Sequence, residues 1–227
     1  MNAPSRDYHD YVFRDGRLVG EFEAMYRHSA TVPWHQDEQR GWIDVRLTLE
    51  LLRDLQPFGE VHDFGCGLGY YLSILQAEVA AAGARCVGYD IAESACEQAR
   101  ALFPANSFRQ LDLTRPDAVS PALIPGGPPN RLFVIRGTLW YVVPQLARVV
   151  ENLAQAVGPR DHLLVVQNFP PLDKPFIGKD VLPDHHALVR HFAARFALRR
   201  HAWYEDATRE TNDNWFIGLF SPKRSSP

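Results

Sequence analysis

The sequence predicts an α/β domain in which helices cover both faces of a mainly parallel sheet. Three observations carry this. Short apolar strands alternate with stretches of helical periodicity along most of the chain. Several strands read as continuous apolar runs, such as Leu132 to Ile135 and Leu163 to Val166, the pattern of strands buried on both faces. One strand passes through a glycine-rich turn directly into a helix. At 227 residues, 46% hydrophobic, with 13 Phe, 8 Tyr and 5 Trp, the chain can fill one sizeable core.

Taken in order, residues 1–35 hold an Asp15-Gly16 turn signal between Tyr11-Val12-Phe13 and Leu18-Val19. An amphipathic stretch from Glu21 to Tyr26 follows, then Pro33-Trp34-His35. From Asp37 the apolar residues Trp42, Val45, Leu49 and Leu52 recur at helical spacing, predicting a helix that ends before Pro57. The first sheet strand spans 60–64 and its following helix 70–82. The second strand spans 85–90, with a helix over 93–103 that turns Glu97 and Arg100 outward. Strands three and four fall at 107–110 and 131–135. Pro144 opens a helix to Val157, in the position proline favours, and Gly158-Pro159 stops it. A buried fifth strand spans 162–167, a helix 184–196, and two aromatic-rich strands, 198–204 and 214–220, close the chain as a hairpin. That makes seven strands. The division expected is an N-terminal extension or lid at 1–37 and the α/β domain at 38–227.

Composition also excludes classes. No apolar run approaches the ~20 residues that cross a bilayer, and the N-terminus lacks a secretory pattern, so the expected compartment is the cytoplasm. Cys66, Cys86 and Cys96 are odd in number and form no C-x-x-C pair, which argues for small buried thiols over a disulfide framework. The one dense basic stretch holds His185, His186, Arg190, His191, Arg195, Arg199, Arg200 and His201. Set in a chain of net charge −3, it reads as an exposed helix face and strand edge, not a nucleic-acid track.

The most informative segment is Val61-His62-Asp63-Phe64-Gly65-Cys66-Gly67-Leu68-Gly69-Tyr70. Glycines at alternate positions permit positive φ and leave room for a ligand to lie against the turn. Ligands in open α/β sheets bind beyond the carboxyl ends of the strands, where this loop falls. The dinucleotide fingerprint is G-x-G-x-x-G. This loop is G-x-G-x-G, and Asp63 stands two residues before it, where an acid opposes a phosphate and suits a cationic amino-acid group.

On these residues the chain resembles the class I S-adenosylmethionine-dependent methyltransferases over about residues 38–222. Asp63, Gly65, Gly67 and Gly69 match their acid-x-G-x-G-x-G motif in full. Asp90, ending the second strand, matches the acid that binds the ribose hydroxyls. Asp112, after the third strand, matches the acid that faces the adenine amine. The resemblance implies a Rossmann-like seven-stranded sheet, S-adenosyl-L-methionine as donor and S-adenosyl-L-homocysteine as product. It also implies a donor site of Asp63, Gly65, Cys66, Gly67, Gly69, Asp90, Ile91, Asp112, Leu113 and Arg136.

Methyl transfer from a sulfonium is an in-line displacement, so the enzyme chiefly positions its reactants, adding a base where the acceptor is an ammonium or hydroxyl. His35, in the segment that folds over the donor in this family, is the candidate base, with Tyr141 the second catalytic candidate. Tyr26, Trp34, Trp140, Asn168 and Phe169 are expected to contact the acceptor. Asn168-Phe169-Pro170-Pro171 is similar to the N/D-P-P-Y signature of nucleobase amino methylation, but that signature belongs after strand four. His62 reads as a buried structural histidine. His185 and His186 are adjacent, so they do not share a helix face and make a poor metal pair.

The resulting expectation is methylation of nitrogen or oxygen in a small molecule of secondary-metabolite or sugar type, by a monomer or homodimer. Two other readings stay open: an RNA or other nucleic-acid methyltransferase using the basic stretch, and a catalytically idle donor-binding partner protein.

Overall fold

The computed structural model of the protein describes residues 4–14, 16–119, 124, 127, 130–205 and 214–223. The chain enters through α1 (His9–Val12), the short antiparallel pair β1 (Phe13–Arg14) and β2 (Arg17–Leu18), and α2 (Phe22–His28). Asp15 of the expected turn lies outside the described residues. A 3-10 stretch, Pro33–Gly41, leads into α3 (Ile43–Leu52), β3 (Phe58–Phe64), α4 (Tyr70–Glu78), β4 (Ala80–Asp90), α5 (Glu93–Leu102) and β5 (Ser107–Gln110). Then come β6 (Arg131–Arg136), α6 (Leu146–Ala156), β7 (His162–Phe169), α7 (His185–Phe192), β8 (Phe196–Tyr204) and β9 (Asn214–Pro222).

The main sheet has seven strands in the order β5-β4-β3-β6-β7-β9-β8. β3 through β7 pair in parallel, and only β9 runs against its two neighbours. The chain builds outward from β3 to β5, then returns to the other side of β3 with β6. That reversal makes the carboxyl ends of β3 and β6 the topological switch point, where a ligand crevice opens.

The core explains the apolar runs. Along β6, Leu132 and Val134 pack on the face covered by α3, α4 and α5, while Phe133 and Ile135 pack on the face covered by α6 and α7. A third cluster joins the N-terminal elements to the domain: Tyr8, Tyr11, Val12, Met25 and Tyr26 pack with Leu68, Ala92 and Ala95.

The boundaries differ from the sequence expectation where tertiary pairing overrides local propensity. α4 stops at Glu78, because Phe58 N–H donates to Val79 O (2.9 Å) and Ala80 already pairs with Phe58. The alanines expected to prolong that helix therefore begin β4. The helix expected from Asp37 starts only at Ile43, because Pro33–Gly41 follows a tighter path with Trp34 and His35 in the left-handed region (φ 52° and 48°). Pro144 sits in a 3-10 turn, and α6 begins at Leu146. Asp184 caps α7 by accepting from Ala187 N–H (2.7 Å), so the helix runs over His185–Phe192 and Phe196 opens β8.

Candidate functional site

The turn after β3 takes its shape from its glycines. Gly65 and Gly67 have φ of 77° and 53°, a region costly for residues with a Cβ. A methyl group on Gly65 would overlap the Thr138 side chain, and one on Gly67 would lie 2.5 Å from Gln36 Oε1. Protein groups, and not only a ligand, thus demand glycine here.

Three acids surround this turn. Asp90, at the end of β4, accepts from Gly67 N–H through Oδ2 (2.9 Å) and from Ala92 N–H through Oδ1 (3.0 Å). Burial raises its pKa against those two backbone bonds. Asp112 Oδ1 accepts from the Thr114 amide (3.0 Å) and hydroxyl (2.6 Å). Asp63 is the unusual one: it is 2% exposed, and its carboxylate makes no hydrogen bond with any described residue. Burial pushes its pKa up to about 7, with Arg136 pulling downward and Asp90 pushing further up.

Two cavities open beside the turn. The smaller, about 330 Å³, lies over the ends of β4 and β5 and is lined by Asp90, Ile91, Asp112 and Leu113 below, with Phe22 and Tyr26 above. The larger, about 450 Å³, lies over β3, β6, β7 and β9 and includes Asp63, Cys66, Arg136, Trp140 and Asn168. Gly65, Thr138, Trp34 and Tyr141 line both, so these four form the neck between them. The Trp34 and Tyr141 rings stand 5.7 Å apart there, and burial raises the pKa of the Tyr141 hydroxyl.

Most residues expected from the sequence therefore come together. Tyr26 does so on the smaller cavity, its hydroxyl accepting from Gln36 Nε2 (3.3 Å). Trp140 donates its indole N–H to Asn168 O (2.9 Å) and borders the larger cavity. Two expectations fail. The exposed His35 lines neither cavity, because its left-handed backbone directs the ring outward, 3.8 Å from Glu38. Phe169 also lines neither: β7 extends through it, so strand alternation sends Asn168 to the cavity and the fully buried Phe169 into the core. His62 is fully buried between Tyr89 and Glu60, and burial lowers its pKa to about 4.

Sequence reasoning missed the glutamines of the Pro33–Gly41 stretch. Gln36 Oε1 accepts from Leu68 N–H (2.9 Å), tying that stretch to the glycine turn. Gln39 is 4% exposed, lines the larger cavity and makes no side-chain hydrogen bond with any described residue. It also missed the surroundings of Arg136, whose Nε donates to Asp44 Oδ2 (2.8 Å). The guanidinium carbon stands 4.8, 5.1 and 5.5 Å from the ring centres of Tyr71, Trp215 and Trp42. No local signal joins these residues, which come from α3 and the residue before it, α4, β6 and β9.

Residues 62–165 match the family model described as methyltransferase domain. No curated protein matches the chain in sequence. Among solved structures, one titled for the conversion of a disulfide bond into a thioacetal group during echinomycin biosynthesis superposes with a TM-score of 0.63. It is 16% identical and covers 90% of this chain and 93% of that one. The N-methyltransferase NodS from Bradyrhizobium japonicum WM9, in complex with S-adenosyl-L-homocysteine, gives 0.59 at 13% identity, covering 86% and 94%. A chain of the Haloferax volcanii complex with the Trm112 methyltransferase activator gives 0.62 at 15%, covering 90% and 98%. At identities this low, the superpositions show a common fold.

Proposed function

We propose a small-molecule acceptor for this chain, which is an S-adenosylmethionine-dependent methyltransferase of the class I superfamily. The observation that carries the proposal is the pair of cavities meeting at one neck. The smaller holds the acids suited to a nucleoside, and the larger is walled by Phe13, Trp34, Trp140, Tyr141 and Phe176. Such an aromatic, recessed space suits a metabolite that is largely enclosed when bound.

The residues present fit the donor. The Asp63 carboxylate is buried with no hydrogen-bond partner among the described residues, an environment a cationic amino group would relieve. In the smaller cavity, Asp90 faces the ribose hydroxyls, Asp112 the adenine amine, and Ile91 and Leu113 the base. Ile91 is 47% exposed and lines this cavity. When bound, S-adenosylmethionine supplies a methyl group carried on a sulfonium sulfur. The chain's own part is to hold the acceptor nitrogen or oxygen in line with that methyl at the neck. The Trp34 and Tyr141 rings favour positive charge there. Tyr141, kept protonated by burial, orients the acceptor and does not deprotonate it. Residues 1–37 act as a lid over the smaller cavity.

The basic stretch does not suit a nucleic-acid track. Arg195 pairs with Glu151 (2.7 Å) and Arg200 with Asp54 (3.2 Å). Arg199 and Arg200 line a hollow with Leu55, Pro159 and His162, beside the starts of β3 and β7, and neither lines the two cavities at the glycine turn.

The test is a cell extract incubated with the protein and donor labelled in its methyl group. Label is expected in the low-molecular-weight fraction. Label confined to RNA would contradict the small-molecule reading.

A further inference from the structure

The carboxyl end of β7 carries a hydrogen-bond relay that ends in the larger cavity. Gln167 is fully buried, and Asn168, the next residue, is half-buried and lines the cavity with Trp140. The relay starts at a backbone amide, where Leu139 N–H donates to Gln167 Oε1 (3.2 Å). A backbone N–H can only donate, so this bond fixes which end of the Gln167 carboxamide is oxygen. Its Nε2 therefore faces Asn168 and donates to the backbone oxygen (3.2 Å) and to Oδ1 (3.1 Å). The Trp140 indole N–H donates to the same backbone oxygen (2.9 Å).

The polarity of Asn168 follows from that relay. Its Oδ1 is held by Gln167, and its Nδ2 makes no hydrogen bond with any described residue. What this side chain has left to offer the cavity is a donor. The space around it is aromatic, walled by Trp34, Trp140, Tyr141 and Phe176, while Phe13 and Ile177 line it from positions 37% and 43% exposed. Such walls favour a flat aromatic body, which stacks on or meets them edge to face. A donor among them loses water when a ligand enters and needs a lone pair in return. A carbonyl oxygen supplies one and brings no proton of its own to satisfy, as a hydroxyl would.

We propose that Asn168 sets the specificity for the methyl acceptor by donating from Nδ2 to a carbonyl oxygen on an aromatic molecule, with Gln167 a positioning residue that acts through it. The inference rests on the small-molecule reading above and narrows it to aromatic compounds bearing an amide, lactam, ester or ketone. The opposite polarity, with Asn168 accepting from an N–H of the ligand, would have to share Oδ1 with Gln167 and would leave Nδ2 idle.

The test isolates the compound that the wild type labels in cell extract, then follows its rate of labelling by variants at limiting extract. The compound is expected to show carbonyl absorption in the infrared and an aromatic ultraviolet spectrum, and one lacking either would overturn the inference. Asn168→Asp keeps an oxygen for Gln167 and exchanges only the donor. It is expected to label about 100-fold more slowly, whereas a rate within about twofold of wild type would overturn the inference. Gln167→Met is expected to slow labelling about tenfold by itself. Added to Asn168→Asp it should cause no further loss, because the donor it orients is already gone. Additive losses would overturn the positioning role. Each variant should bind S-adenosylhomocysteine as the wild type does in calorimetry, which separates a lost contact from a folding defect. If the variants do not bind it, the identity of the isolated compound still decides. Absence of label from every small molecule, with S-adenosylhomocysteine still bound by the wild type, would overturn the small-molecule reading and this inference with it.

Discussion

Asp63 joins the fold to the chemistry through a single proton. Its folded pKa, raised to about 7 by burial, lies well above the ordinary aspartate value of about 3.9. Between those two values the folded state holds a proton that the unfolded state has released. The stability of the ligand-free protein should therefore fall as pH rises through this window and level off above about 7. Thermal unfolding of wild type against Asp63→Asn checks this: the wild type should lose stability from pH 5 to 8 relative to the variant, and parallel curves would contradict it. On the proposed donor site the ammonium pairs with ionised Asp63, so S-adenosylhomocysteine affinity should rise by up to about tenfold per pH unit below the folded pKa. Asp63→Asn should flatten that dependence. Asp63, Asp90 and the glycines were legible because their order and spacing within the chain carry the signal. The place of Arg136 beyond the fourth strand was legible, but its cage was not, since Asp44, Trp42, Tyr71 and Trp215 meet it only through tertiary packing. Phe169 was misassigned because its strand was ended two residues early, which hid the parity of Asn168 and Phe169.

At the scale of elements, the strand-helix alternation was readable and the junctions were not. α4 yields to β4 at Ala80 because sheet pairing outweighs the helix preference of alanine. The Pro33–Gly41 stretch follows the glycine turn through Gln36, a contact across 32 residues with no local trace. The opposite end of the sheet depends on a buried ion pair between β6 and the turn before β7. Asp161 Oδ2 accepts from Arg131 Nη2 (2.7 Å) and Gly158 N–H (2.8 Å), while its Oδ1 accepts from Arg131 N–H (3.1 Å). Asp161→Ala leaves the arginine buried without this counter-charge, and should cost about 3–5 kcal/mol in denaturant unfolding. Its affinity for S-adenosylhomocysteine, measured well below the melting temperature, should stay near wild type. A loss under 1 kcal/mol would show that the pair does not hold this end together.

Across the whole molecule, topology divides the labour. The reversal at β3 and β6 opens the crevice at one end of the sheet, and Leu18, Phe22 and Tyr26 of the N-terminal elements wall the smaller cavity. The sequence order of acid, glycine turn, second acid and third acid already implied that crevice. The division into two cavities with a common neck was not legible, because it arises where Trp34 from the N-terminal segment meets Tyr141 from the turn after β6. The measurement that bears most directly on this arrangement is a crystal structure with S-adenosylhomocysteine bound. Its adenine should lie between Ile91 and Leu113, its ribose hydroxyls against Asp90, and its sulfur at the neck facing the aromatic cavity. An adenine lodged among Trp140, Phe176 and Asn168, or a sulfur turned away from the neck, would contradict it.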